Sequence, residues 1–222
     1  MSPSANLVKA ASERYRDAGR FAYHFARGKL QGDPIFEVIR SRRLLENRRQ
    51  ILDLGCGQGL LAAWLLAAHG ASPPPWVFRG VDCVQRCIER ARCALGSQAE
   101  FTEGDMRRTD FGRADGIVIL DVLHYIDYAD QRSVLERVRQ ALVADGVLLL
   151  RVGDADGGLG FKLGNWVDQM VLLASGRGLQ RLHCRSTMQW RELLATLGFD
   201  CETISMSAGV PFANVLIVAT PR

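Results

Sequence analysis

The chain has 222 residues, 48% of them hydrophobic and 23% charged, the balance of a soluble protein with one well-filled core. No apolar run approaches the roughly 20 residues of a membrane span, and residues 1–10 lack a charged segment leading into an apolar one. Membrane insertion and secretion are therefore not expected, and a cytoplasmic protein is. The six cysteines, at 56, 83, 87, 93, 184 and 201, lack the paired spacing of a zinc site, and a chain of this size does not depend on disulfides; no metal is expected. Lys and Arg outnumber Asp and Glu 28 to 24, and 11 basic against 5 acidic side chains fall within residues 1–50. A basic leader suits an anionic partner such as nucleic acid, an acyl carrier protein or a phosphorylated substrate, or it is simply a solvated helical face.

In chain order, residues 1–48 read as a helical leader; an amphipathic helix packing Phe21 and Phe25 on the core is one of two accounts of its aromatics. From Ile51 onward short apolar runs alternate with longer helix-like stretches, the pattern of parallel strands joined by crossover helices. Strands are predicted at 51–54, 77–81, 99–102, 116–120 and 146–152, with a closing pair at 199–206 and 214–219. Helices are predicted at 60–68, 85–94, 131–142 and 188–197, where apolar residues recur at three- and four-residue spacing, with Gly70, Gly96 and Gly198 as stop signals. Pro73, Pro74 and Pro75 form a stiff connection. Residues 153–186 break the alternation and read as a lid in which Phe161, Trp166 and Met170 cover something apolar, or as a plain surface excursion. The whole is expected to be one domain, with a cofactor-binding core at 49–152 and a closing helix and strands at 187–222.

The segment Ile51-Leu-Asp-Leu-Gly-Cys-Gly-Gln-Gly59 joins a buried strand to a helix. Its glycines allow a tight turn and close approach of a ligand to a helix amino terminus, where free N–H groups favour negative charge. Dinucleotide-binding loops look similar, but three details differ. The spacing is Gly55-x-Gly57-x-Gly59, and Asp53 stands two residues before it, repelling a pyrophosphate and suiting an ammonium group. Asp82 follows the next strand, where a carboxylate can accept both hydroxyls of a ribose. Asp105 and Met106 follow the third strand, where Asp105 can take an exocyclic amine while Met106 packs on a purine face.

With these residues the sequence resembles the class I S-adenosylmethionine-dependent methyltransferases over about residues 45–152. The resemblance rests on Asp53, Gly55, Cys56, Gly57 and Gly59, on Asp82 with the adjoining Cys83, on Asp105 and Met106, and on Asp121-Val122-Leu-His124-Tyr125. It implies an α/β, Rossmann-like fold: a mostly parallel seven-stranded sheet with helices on both faces and strand seven antiparallel between five and six. It also implies that these residues, Asp121 and Val122 included, bind S-adenosyl-L-methionine, leaving S-adenosyl-L-homocysteine as product.

The leader is weakly similar to those of small-molecule methyltransferases in bacterial biosynthetic clusters, including aryl polyene pigments. Because the family's leader covers the cofactor and shapes the acceptor pocket, Tyr15, Arg20, His24, Arg27 and Lys29 become candidates. His124, directly after the fourth strand, is the first candidate for a general base, with His24 second. Tyr15, Tyr125, Tyr128 and Trp166 are candidate acceptor-binding residues. The expected reaction is O-methylation of a small molecule or carrier-bound acyl group. The rivals are a nicotinamide-dependent dehydrogenase, a methyltransferase-fold binding protein without turnover, and an RNA methyltransferase; the last is disfavoured because no Asn-Pro-Pro-Tyr-like tetrapeptide follows strand four and no RNA-binding module is appended.

Overall fold

The structure, a computed structural model, describes residues 5–153, 182–206 and 214–222. The chain divides into two compact units, Met1–Gly116 and Ile117–Arg222. The first contains α1 (Ala5–Glu13), α2 (Arg20–Gly32), α3 (Ile35–Ser41), β1 (Gln50–Leu54), α4 (Leu60–His69), β2 (Val77–Asp82), α5 (Gln85–Leu95) and β3 (Glu100–Glu103). The boundary falls within β4 (Ala114–Leu120). The second contains a 3-10 turn (Leu123–Tyr125), α6 (Tyr128–Ala141), β5 (Leu142–Gly153), α7 (Thr187–Thr196), β6 (Phe199–Ser205) and β7 (Asn214–Pro221).

The strands form one seven-stranded sheet in the order β3-β2-β1-β4-β5-β7-β6. β1 pairs with β2, and β2 with β3, in parallel, whereas β7 runs antiparallel to both β5 and β6. This is the expected strand seven, inserted between five and six. Ile51 to Leu54 are all buried, as befits an interior strand of a parallel sheet covered on both faces, which favours a continuous apolar run over alternation.

α4 is apolar nearly all round, and Trp64 at its centre is fully buried against Phe36 at a ring separation of 6.2 Å. α7 opens with a capping box: the Ser186 hydroxyl accepts from Gln189 N at 3.3 Å, while the Gln189 side chain accepts from Ser186 N at 3.0 Å.

The structure decides against one of the two accounts of the leader and shifts one strand boundary. Phe21 and Phe25 do not pack on the core: they are 64% and 46% exposed and stack on each other at 5.9 Å. The face that α2 buries is the stripe Ala22, Ala26 and Leu30, and a residue one position earlier lies about 100° round the helix from that stripe. β5 begins at Leu142, four residues before the predicted start, because the C-cap residue of α6 is already extended (φ −69°, ψ 136°). The body of the expected lid, with Phe161, Trp166 and Met170, lies outside the described residues. Among the described residues no helix is long and apolar enough to cross a membrane.

Candidate functional site

In the first unit, β1 ends at Leu54 and the chain turns through Gly55, Gly57 and Gly59, whose φ values of 81°, 54° and 77° all lie in the left-handed region. The turn is anchored on β2: the N–H groups of Gly55 and Cys56 both donate to the Val81 carbonyl, at 2.7 and 3.1 Å. A side chain at Gly59 would place its Cβ 2.8 Å from the Phe101 ring, and one at Gly80 would meet Phe101 at 2.7 Å and the Cys56 Sγ at 2.8 Å. These two glycines therefore permit the loop to lie against β2 and β3. At Gly57 a Cβ would meet nothing within 4 Å, so this glycine borders open space.

Asp82, at the end of β2, holds two loops together. Its Oδ2 accepts from Gly57 N at 2.9 Å and its Oδ1 from Val84 N at 2.8 Å. Each carboxylate oxygen retains acceptor capacity for a further hydroxyl. Asp53 is treated differently. It is only 3% exposed, and burial, with the nearby Asp82 charge second, pushes its pKa up to about 8. Such a carboxyl becomes comfortable as an anion once a cation enters beside it. Burial, followed by Asp53 and Asp82, raises the Cys56 thiol well above its usual range, which leaves Cys56 an inert packing residue. Cys83, next to Asp82, is exposed.

Asp105 follows β3, but its carboxylate is engaged within its own turn. It accepts from Arg107 N at 2.9 Å, from Arg107 Nε at 3.0 and 2.9 Å, and from Arg107 Nη2 at 2.6 Å. Those bonds, first among several influences, hold its pKa below the usual carboxylate range. An incoming amine thus meets a carboxylate that already has a cationic partner. Met106 beside it is half-buried.

The leader is tied to the glycine turn. Tyr15 is fully buried and donates its hydroxyl to the Gln58 carbonyl at 2.8 Å, and Gln58 Nε2 donates to the Ala22 carbonyl at 3.1 Å. Burial also raises the Tyr15 phenol above its ordinary pKa, so it stays a neutral donor. Tyr15 accordingly serves the scaffold of the turn. His24 is exposed on α2, edge-on to Tyr23 at 5.1 Å, and Lys29 pairs with Asp33 at 2.7 Å. Arg20 and Arg27 are exposed.

In the second unit, Asp121 follows β4 with a left-handed φ of 56°. Its N–H donates to the Arg151 carbonyl at 3.1 Å, and its carboxylate is gripped by the Arg151 guanidinium through Nε at 2.9 Å and through Nη2. Val122 is half-buried. The 3-10 turn that follows carries His124, 9% exposed, with its ring 4.2 Å from that of Tyr125. Tyr128 donates its hydroxyl to the Cys184 carbonyl at 3.1 Å, and its ring meets His183 edge-on at 5.3 Å, with the Arg185 guanidinium 4.6 Å over it. Tyr128 is thus spent on fixing the 182–186 segment. Trp166 lies outside the described residues.

Gln58, Arg107, Gln131 and Arg151 escaped the sequence reading. Arg151 alone left a signal there, as a charge inside the otherwise apolar run Val147-Leu-Leu-Leu-Arg-Val152.

Residues 51–146 match the family model described as a methyltransferase domain. The chain is 34% identical over 116 residues to the carboxy-S-adenosyl-L-methionine synthase of Chromohalobacter salexigens, a match covering 50% of this chain and 42% of that protein. The chain spans less than half the length of such curated relatives. Among solved structures, it superposes on an O-methyltransferase family protein from Burkholderia thailandensis with a TM-score of 0.67 at 20% identity, covering 93% of this chain and 61% of that one. It superposes on the magnesium protoporphyrin IX methyltransferase of Synechocystis with bound SAH with a TM-score of 0.63 at 18% identity, covering 95% and 94%.

The residues of the glycine turn have the chemistry to hold a nucleoside that carries an ammonium group and a sugar diol. Asp53 offers a buried carboxyl to an ammonium group, Asp82 offers acceptors to a sugar diol, and the space beside Gly57 admits close approach. Asp105 fits less directly, because Arg107 already occupies it.

Proposed function

We propose that this chain is a class I S-adenosylmethionine-dependent methyltransferase, which holds S-adenosyl-L-methionine at its glycine turn and transfers the methyl to a small organic or carrier-bound acceptor, by O-methylation in bacterial secondary metabolism. The observation that carries the reading is the treatment of two carboxylates at one turn. Asp82 is oriented by Gly57 N and Val84 N, and Asp53 is buried with its pKa pushed up to about 8.

When bound, the cofactor supplies an activated methyl on a positively charged sulfur. The chain's own part is to bind, orient and move a proton. Asp53 would meet the ammonium end, Asp82 would accept hydrogen bonds from the ribose hydroxyls, and Met106 would lie against the base. Orientation of this kind accounts for roughly 7–11 kcal/mol of barrier reduction by effective-molarity arguments. His124 takes the proton from an acceptor hydroxyl, adding about 100-fold or more, and the adjoining Tyr125 ring offers an apolar wall to the acceptor. The cytoplasm, where the cofactor is made, is the expected location.

Calorimetry with S-adenosylmethionine, S-adenosylhomocysteine and NAD, each on wild type and Asp82→Ala, tests the first step. The two sulfur nucleosides are expected to bind wild type and to lose affinity in the variant, and binding of NAD alone would overturn the reading. A screen of phenolic, carboxylic, carrier-bound and RNA acceptors for release of S-adenosylhomocysteine then separates the acceptor classes; turnover on RNA alone would overturn the small-molecule assignment. With an acceptor in hand, His124→Ala is expected to depress turnover far more than cofactor affinity.

A further inference from the structure

Gln131 lies in the first turns of α6, seven residues after His124, and is completely buried. The two N–H groups of its side-chain nitrogen serve three main-chain carbonyls, one of them shared: Leu123 at 3.1 Å, Ile126 at 3.1 Å and His183 at 2.7 Å. Leu123 precedes His124, and Ile126 follows Tyr125, so the amide grips the 3-10 turn on both sides of the His124–Tyr125 pair. The third carbonyl belongs to the 182–186 segment, whose His183 N–H itself donates to the His124 carbonyl at 2.9 Å.

The orientation of the amide is determined by its fourth partner. Arg185 Nε donates to Gln131 Oε1 at 2.8 Å, and a guanidinium is a donor only, so the oxygen must face Arg185 and the NH2 must face the three carbonyls. Arg185 is in turn held by the Tyr128 carbonyl at 3.3 Å and lies 5.5 Å over the buried Trp190 ring. No hydrophobic residue of similar size reproduces this set. Glutamate would set a carboxylate oxygen against the three carbonyl oxygens, and methionine or leucine would fill the volume while withdrawing two N–H donors from buried carbonyls.

We propose that Gln131, oriented by Arg185, is a positioning residue for His124: it locks the turn bearing that ring onto the 182–186 segment and so sets the ring's place and environment. The inference deepens the reading above and rests on it for the role of His124, but the coupling itself is measurable without any ligand.

The test is imidazole 15N and ring-proton NMR on the full chain, in wild type, Gln131→Met and Arg185→Met, with circular dichroism and melting in parallel. Four histidines report separately, and His24 and His69, which lie in the other unit, serve as internal references. The expected result is a clear displacement of the His124 ring resonances in both variants, larger for Gln131→Met, with His24 and His69 unmoved and cofactor affinity within about twofold of wild type. A folded variant whose His124 resonances coincide with wild type would overturn the proposal, as would equal displacement of all four histidines, which marks a purely global effect. If Gln131→Met fails to fold, Arg185→Met decides alone, since it keeps every carbonyl within reach of Gln131 and removes the guanidinium that orients the amide, together with that guanidinium's contacts to Tyr128 and Trp190. Failure of wild type to bind S-adenosylmethionine would sink the proposed function and leave the NMR coupling standing, so the two failures are distinguishable.

Discussion

Asp53 and Asp82 flank one turn and carry their charges differently: Asp82 accepts two backbone N–H groups, whereas Asp53 is buried beside it with its pKa pushed up to about 8. Without ligand, the folded chain keeps a proton on Asp53 that the unfolded chain releases near the ordinary value of 3.8. The folded state binds more protons across that window, so stability falls as pH rises from about 4 to about 8. A cationic ligand favours the carboxylate, so its affinity rises with pH, by up to about tenfold per unit below pH 8, and then levels off. Calorimetry with S-adenosylmethionine at several pH values is expected to show this slope in wild type and its loss in Asp53→Asn. A slope unchanged in the variant would assign the proton elsewhere.

The glycines of the turn divide by what surrounds them. Gly59→Ala brings a Cβ within 2.8 Å of the Phe101 ring at a φ of 77°, so a loss on the order of 2–3 kcal/mol is expected in urea denaturation. Gly57→Ala meets no atom and carries only the left-handed backbone penalty, about 1 kcal/mol. Its larger effect is expected on cofactor affinity, because the methyl occupies the space beside Asp82. Affinity loss no greater than the stability loss would place the ligand elsewhere.

Tyr15→Phe keeps the buried ring and removes only the hydroxyl that donates to the Gln58 carbonyl. The expected cost is about 1 kcal/mol, seen as a fall in Tm of roughly 2–4 °C for a chain of this length. Cofactor binding is expected to weaken with it, because Gln58 belongs to the turn. A variant that binds the cofactor as wild type does, yet melts lower, would confine Tyr15 to stability.

Asp121 combines a left-handed φ of 56° with the grip of Arg151, whose side chain is 4% exposed against 28% for Asp121. Asp121→Ala takes the carboxylate from a buried guanidinium while keeping the backbone penalty. With solvent screening at the Asp121 end, the expected loss is about 2 kcal/mol. Asp121→Gly relieves the backbone and is expected to be more stable than the alanine variant by roughly 1 kcal/mol. Chemical denaturation of both variants checks the order, and an alanine variant at least as stable as glycine would show that the φ carries no strain.

The amino-acid order alone determined what depends on near neighbours. The apolar runs produced β1 and β2, their alternation with helical stretches produced the parallel order, and the glycine spacing with Asp53 and Asp82 placed two carboxylates at strand ends. Only packing decided which partners meet across the fold. Tyr15 finds Gln58 across 43 positions, Arg151 finds Asp121 across 30, and Gln131 finds His183 across 52, and no local pattern encodes such separations. The leader shows the same division: an amphipathic helix was legible, but which side it buries was set by the fit of Ala22, Ala26 and Leu30 against the core, which left Phe21 and Phe25 outside. Periodicity reports that a segment has a buried side, whereas the choice of side and of hydrogen-bond partner comes from the shape of what it packs against.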